Sequence, residues 1–208
     1  MASPDKMIGD QTTVYLTGAN GALGQEIVPF LRQRGMNVIA VTRAPLNSDP
    51  ANIVTPDIFD PSKWYDTRNH DACIIHLAGL ANPRFQADDE EAFHRDFSKP
   101  HGQIVENLLA AGWRGKLVYA SSGGTVYRNA DIIPIPESHP CRPLGLYGRH
   151  KVMIESDFRF LFAGGAADLF ILRISNLYGA HKMKANQGVI PILADHLRHD
   201  QHFTVFGD

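Results

Sequence analysis

Three features of the sequence predict a doubly wound α/β fold built on a parallel sheet. Short β-rich runs alternate with helical patterns, the first run enters its helix through a glycine-rich turn, and the runs are continuously apolar rather than alternating. CIIHLA and LFILRI show the last feature, which suits strands buried on both faces of a sheet.

The first strand is expected at Thr13 to Thr17. A glycine-rich turn then leads into a helix from about Ala22 to Arg34, where Gly35 supplies the stop. Further strands are expected at Val38 to Thr42, near Ile53, at Ala72 to Leu77, at Lys116 to Ala120 and at Leu169 to Ile174. Helical patterns fall between them, notably Asp89 to Ala111 and Tyr147 to Phe162. The acidic run Asp88 to Glu91 suits a helix start, where negative charge is stabilising. A last helical pattern, from about Val189 to His199, leads to FTVFGD, which reads as a strand followed by a turn. A compact domain rarely stops there, so the chain is expected to be a fragment.

Composition narrows the function classes. The 208 residues carry 20 Lys and Arg against 22 Asp and Glu, a formal net charge of −2, which disfavours nucleic-acid binding through bulk charge. At 44% hydrophobic and 20% charged residues the chain is expected to bury an ordinary core. No apolar run approaches the roughly 18 residues of a membrane span, and MASPDKMIGD lacks the apolar stretch of a secretory signal. A cytoplasmic protein without membrane partners is the expectation. Cys73 and Cys141 lie too far apart in sequence to suggest a disulfide framework or a zinc site, and read as inert thiols. His196, His199 and His202 recur every third residue, a spacing that drifts around a helix, with only Asp195 and Asp200 as nearby carboxylates. They read as a solvated face, and no metal is expected.

The segment TGANGALG puts Gly18, Gly21 and Gly24 at the first strand-to-helix boundary. Gly18 permits a tight turn, Gly21 a close backbone approach to a pyrophosphate, and Gly24 close packing of the helix on the sheet, while the helix N-terminus faces the anion. At the end of the second strand an acidic residue would select NAD by binding the ribose 2′-hydroxyl. The sequence there is VIAVTR. Arg43 suits a 2′-phosphate instead, which inclines the choice toward NADP.

Tyr147 and Lys151 stand four residues apart in LGLYGRHKVMIE and share one face of a helix. An ammonium beside a phenol, with an oxidised nicotinamide ring nearby, favours phenolate and makes tyrosine a usable acid or base. The preceding LVYASSGGTVY ends a strand in small and hydroxylated residues.

With TGANGALG, DIFD, IIHLAGL, LVYASSGGTVY, YGRHK and LRISNLYGAH in this order, the sequence resembles the extended short-chain dehydrogenase/reductases, in their nucleotide-sugar epimerase and dehydratase branch. The resemblance runs from about residue 12 to the end and implies a Rossmann fold with an incomplete C-terminal substrate lobe. It implies a dinucleotide-binding domain over residues 1–175, carrying the Tyr/Lys helix, and the start of a substrate-binding lobe over 176–208. By the same resemblance Gly18, Gly21, Leu23 and Gly24 hold the pyrophosphate, Asn20 also contacts the cofactor, Asp57 and Ile58 meet adenine, and Leu77, Ala78 and Gly79 line the dinucleotide path. Tyr147 is the general acid/base, Lys151 also holds the nicotinamide ribose, and Ile174 and Ser175 border the nicotinamide. Asn176, by similarity to the branch's UDP-glucose 4-epimerases, meets the substrate's phosphates or sugar, with Val189, Thr204 and Phe206 in the substrate lobe. The helix ending in Phe158, Phe160, Leu161 and Phe162 corresponds to one that often forms a dimer interface in the family, which suggests a homodimer, with packing inside the chain as the other reading.

The chain departs from the family pattern in three places besides its end. Gly123 occupies the position of the usual catalytic Ser or Thr, leaving Ser122 or Thr125 as substitutes or Tyr147 alone. Asp96 stands where Asn is common, and His150 replaces the small residue usually found before the lysine. No Asp-Glu pair follows the Ser-rich strand end, as it does in the family's dehydratases. The function expected is therefore an NAD(P)-dependent nucleotide-sugar epimerase. The alternatives are an NADPH-dependent keto-sugar reductase or dehydratase of the same family, or a non-catalytic dinucleotide-binding protein.

Overall fold

The computed structural model describes residues 12–46, 51–79, 90–127, 130, 132–143, 145–175, 177–179 and 189–204. Six strands form one parallel sheet in the order β3-β2-β1-β4-β5-β6, with β1 Thr13–Thr17, β2 Asn37–Thr42, β3 Asn52–Val54, β4 Cys73–His76, β5 Lys116–Ser122 and β6 Asp168–Ile174. The strand order reverses between β1 and β4. That reversal marks a crevice at the carboxyl edge of the sheet, the position where such sheets take their ligands.

The long helices are α1 Ala22–Gln33, α3 Lys99–Ala110, α5 Leu146–Phe162 and α6 Val189–Arg198, with short turns of helix at α2 Glu90–Phe93 and α4 Gly123–Val126. The helix expected over Asp89 to Ala111 is thus α2 and α3 joined by a π-helical stretch, His94–Ser98. The other expected elements appear within a residue or two of their ends. FTVFGD is the exception: residues 201–204 form no strand, and the rest of the segment lies outside the described residues.

The apolar strands serve two cores on opposite faces. Val14, Leu16, Val38 and Ala40 meet Val28 of α1 on one face. On the other, Tyr15, Ile74, Leu117 and Tyr119 meet Ile104, Val105 and Leu108 of α3 and Ile154, Phe158 and Phe162 of α5. Central β1 is therefore covered on both sides, which explains its unbroken apolar sequence. Edge strand β6 is half covered, and Phe170 and Leu172 are 48% and 49% exposed. The aromatic end of α5 divides as well. Phe158 and Phe162 are buried, while Phe160 is 81% exposed.

Phe158 is fully buried and meets the Tyr119 ring edge-on at 5.0 Å between centroids. Truncating it opens a cavity between α5 and the sheet. We expect Phe158→Ala to lower unfolding stability by about 3–5 kcal/mol, read as a lower urea midpoint with an unchanged m-value.

Candidate functional site

At the crevice, β1 turns over Gly18 into α1. Gly18 has φ +74°, and a Cβ there would lie 2.7 Å from the Ala78 backbone nitrogen, so only glycine lets this turn rest against the loop after β4. Gly21 is the N-cap of α1, with no side-chain cap and no acidic residue in the first turn. The first amides and the positive end of the helix are left for an anion. A cleft of about 250 Å³ opens above them, lined by Gly18, Asn20, Gly21, Thr42, Arg43, Ile58, Leu77, Ala78 and Gly79.

Most of the expected dinucleotide residues therefore meet in one place. Leu23 lies in the first turn of α1, and Gly24 is buried behind it against Ala19. Thr42 is buried and donates its hydroxyl to Ala44 O at 2.6 Å, which leaves the exposed Arg43 as the cation lining the cleft. Asp57 lies elsewhere: its carboxylate accepts from Phe59 N at 2.9 Å, and it borders a separate cavity of about 450 Å³.

Tyr147, Lys151, Glu155 and Arg159 follow one another at four-residue intervals along α5, on one face. Lys151 is buried at 7% exposure, with Nζ donating to Ala120 O at 2.9 Å and to Tyr119 OH at 3.1 Å, 5.7 Å from the Tyr147 ring centroid. Burial brings its ammonium down to about 8, opposed by the Glu155 charge. Tyr147 moves the other way from the sequence expectation. Burial pushes its phenol above the ordinary value, because loss of water disfavours the charged phenolate.

Glu155, with no exposed side-chain surface, accepts from Ser121 Oγ at 2.5 Å, from Arg159 Nη2 at 3.0 Å and from Arg173 Nη2 at 2.7 Å and Nε at 3.1 Å. Burial pushes its carboxyl up, but the donors from Arg173, Ser121 and Arg159 outweigh that and hold it below the usual range. Arg173 also donates to Tyr127 OH and to Glu137 O, so one guanidinium joins β6, α5 and the segment before α5.

This clamp gives a physical reason for Gly123. A Cβ at Gly123 would lie 2.8 Å from Arg173 O, so a serine does not fit the backbone as it runs here. Of the expected substitutes, Ser122 is the N-cap residue of α4 and makes no side-chain cap bond, while Thr125 Oγ1 is buried with no partner.

Beneath the site lies a polar group that sequence reasoning missed. His76 bonds Thr17 Oγ1 through Nδ1 and His101 Nδ1 through Nε2, each at 2.7 Å, and His101 Nε2 is buried without a partner. The expected anomaly at His150 is a buried side chain bonded to Ser98 Oγ at 2.6 Å. Burial holds His76 at about 3, His150 at about 4 and His101 well below its usual value, so all three are neutral near pH 7. One signal existed: His101 keeps helical spacing with the buried Ile104, Val105 and Leu108. Asp96, by contrast, is exposed and paired with Arg95 at 2.8 Å.

Of the remaining expected residues, Ile174 stands in register with Ser122 at the end of β5. Ile174 ends β6 beside a cavity of about 610 Å³, and Ser175 is exposed. Val189 opens α6 at 50% exposure, and Thr204 is exposed. Asn176 and Phe206 lie outside the described residues. His196 Nδ1 bonds His202 O at 2.7 Å, and His199 pairs with Asp195 at 3.5 Å. Cys73 is partly buried, and burial pushes its thiol up to about 11.

A family model described as the NAD dependent epimerase/dehydratase family matches residues 14–208. A putative UDP-glucose 4-epimerase of Methanocaldococcus jannaschii is 30% identical over 202 residues, which cover 94% of this chain and 66% of that protein. The dTDP-4-dehydro-6-deoxyglucose reductase of Escherichia coli is 26% identical, over 93% of this chain and 65% of its own length. The chain thus spans slightly less than two thirds of these relatives. Among solved structures, MoeE5 in complex with UDP-glucuronic acid and NAD is 27% identical with a TM-score of 0.71, covering 94% of this chain and 64% of that one. The UDP-glucose 4-epimerase of Thermus thermophilus, solved with NAD, shares the fold at a TM-score of 0.75 and 22% identity, covering 93% of this chain and 65% of that one.

The clamp at Glu155 has a testable cost. Because its folded pKa is depressed, its contribution is present above the unfolded value of about 4.3 and is lost as pH falls through the folded value. We expect Glu155→Gln to lower stability near pH 7 by about 3 kcal/mol. In denaturant melts across pH, the variant should lose less further stability than the parent below about pH 4.

Proposed function

Because this chain belongs to the NAD dependent epimerase/dehydratase family, we propose that it is a nucleotide-sugar epimerase that inverts a sugar carbon by transient oxidation and re-reduction. The observation that carries this reading is the buried Lys151 ammonium 5.7 Å from the Tyr147 ring, in a chain whose first strand-to-helix turn is an uncapped glycine cradle.

The cradle fits a dinucleotide. A side chain on Gly18 would collide with the backbone of residue 78, the α1 amides suit a pyrophosphate, and Ile58 and Leu77 give the cleft apolar wall. When bound, an oxidised nicotinamide dinucleotide supplies a hydride acceptor and a cationic ring. Arg43 then favours NADP, since its guanidinium can make charge-assisted bonds to a 2′-phosphate. Asp57, Ile174 and Ser175 are proposed as further cofactor contacts.

Tyr147 takes the proton of the sugar hydroxyl as that carbon is oxidised, and returns it to the carbonyl oxygen on reduction. Lys151 steadies the phenolate by its charge and keeps one face of the phenol for the substrate. Ser122 or Thr125 holds the sugar oxygen in place of the hydroxyl absent at Gly123. Asn176, Val189, Thr204 and Phe206 are proposed to contact the substrate. Gly124 and Thr125 follow the strand end where an eliminating enzyme needs an acid and a base, which favours epimerisation over dehydration. The Escherichia coli relative makes keto-sugar reduction the second reading. We further propose a cytoplasmic homodimer, with the exposed Phe160 on α5 at the contact. No described helix is long and apolar enough to cross a membrane.

Tyr147→Phe should lower turnover of the cognate sugar nucleotide by about 10²–10⁴-fold while dinucleotide affinity and circular dichroism stay unchanged. A folded variant that keeps full turnover would refute the role. Arg43→Ala should weaken NADPH binding about tenfold and leave NADH binding unaltered, as read by fluorescence titration. Equal effects on both would remove the preference for NADP.

A further inference from the structure

We propose that Tyr119 is a positioning residue for Lys151, its buried hydroxyl holding the lysine ammonium beside Tyr147. The inference rests on the reading of Tyr147 and Lys151 given above and adds a residue from the centre of the sheet to it.

Tyr119 lies on β5 with no exposed surface. Its ring packs edge-on against Phe158 and belongs to the apolar cluster under α5, a place that phenylalanine would fill equally well. A phenolic oxygen buried there is costly unless it is hydrogen-bonded. Lys151 Nζ supplies that bond at 3.1 Å and donates a second to Ala120 O at 2.9 Å. The carbonyl would be present whatever residue stood at position 120. The phenol, by contrast, depends on the residue at position 119, and its ring adds a cation-π contact, with Nζ 4.7 Å from the centroid. The ammonium therefore sits between two tyrosines, anchored by the inner one and facing the outer one.

Among the described side chains around the ammonium, Tyr119 is the one that accepts its hydrogen bond. Glu155, one turn along α5, is already engaged by Ser121, Arg159 and Arg173. His76 on β4, His101 on α3 and His150 on α5 all sense the lysine charge, and burial keeps them neutral, so none offers an opposite charge. Burial likewise keeps Tyr119 itself protonated, well above its usual value, so it contributes a dipole rather than a charge. Without that oxygen the ammonium keeps one hydrogen-bond acceptor among these neighbours. It would then deprotonate more readily and lose its fixed position against Tyr147.

The test uses Tyr119→Phe, which removes a single atom. In the ligand-free protein, pulse acetylation with acetic anhydride across pH, followed by peptide mass spectrometry, reads the titration of Lys151. The parent should titrate near pH 8, and the variant about one pH unit lower. With sugar nucleotide present, kcat should fall and its pH profile should shift in the same direction while KM holds. An unchanged Lys151 titration in a variant that is folded by circular dichroism would overturn the proposal. Should the variant fail to fold, the parent decides: a nuclear Overhauser effect between the Lys151 ammonium and the Tyr119 ring supports the contact, and its absence overturns it. Both lysine readings are made without cofactor or substrate. They stand or fall separately from the assigned reaction, which the Tyr147→Phe assay tests.

Discussion

The carboxyl half of the sheet is organised around a helix face that buries two opposite charges one turn apart. Lys151 and Glu155 both point from α5 into the sheet, at 7% and 0% exposure. Each ion removed from water costs several kcal/mol unless its hydrogen-bonding groups are met. Glu155 is met by Ser121 of β5 and the fork of Arg173 from β6. Lys151 is met by the Ala120 carbonyl and the Tyr119 phenol, also of β5. The order β4-β5-β6 is what makes both solutions possible, because it lays the ends of β5 and β6 side by side under one helix.

Close packing around these charges explains glycines that would otherwise look incidental. Gly148, directly after Tyr147, has no room for a Cβ against the backbone of Thr125, so α5 sits directly on α4. Gly123 is held to glycine by the carbonyl of the same Arg173 that grips Glu155. The hydroxyl missing at that position is thus a consequence of how tightly β6 approaches the end of β5. Tyr147 thus has the Lys151 ammonium 5.7 Å from its ring and is followed by a glycine packed on the backbone of Thr125.

The dinucleotide cleft depends on a different feature of the same sheet. Because β1 lies next to β4, the turn after β1 meets the loop after β4, and Gly18 rests on Ala78. The buried row from Thr17 through His76 to His101 runs under this junction and links β1, β4 and α3 by hydrogen bonds of 2.7 Å. Neutral imidazoles suit that place, since each ring can donate from one nitrogen and accept at the other without carrying charge.

The fold class, the element order and the glycine cradle were legible in the order of the residues alone. Those features rest on local chemistry: apolar runs, helical spacing, and glycines where a turn leaves no room for side chains. That order also placed Tyr147 and Lys151 on one helix face, because four-residue spacing is a local property. Tertiary structure alone decided which partners the charges found. Glu155 lies 18 residues from Arg173 and 34 from Ser121, and Lys151 lies 32 from Tyr119, so no spacing rule joins them. His150 looked like a departure beside the lysine, and only the packing of α5 on the π-helical stretch showed it bonded to Ser98. The direction of the Tyr147 shift depends on how much water the folded chain excludes. Burial comes from every element packed around a group, and a linear reading sees only its neighbours in the chain.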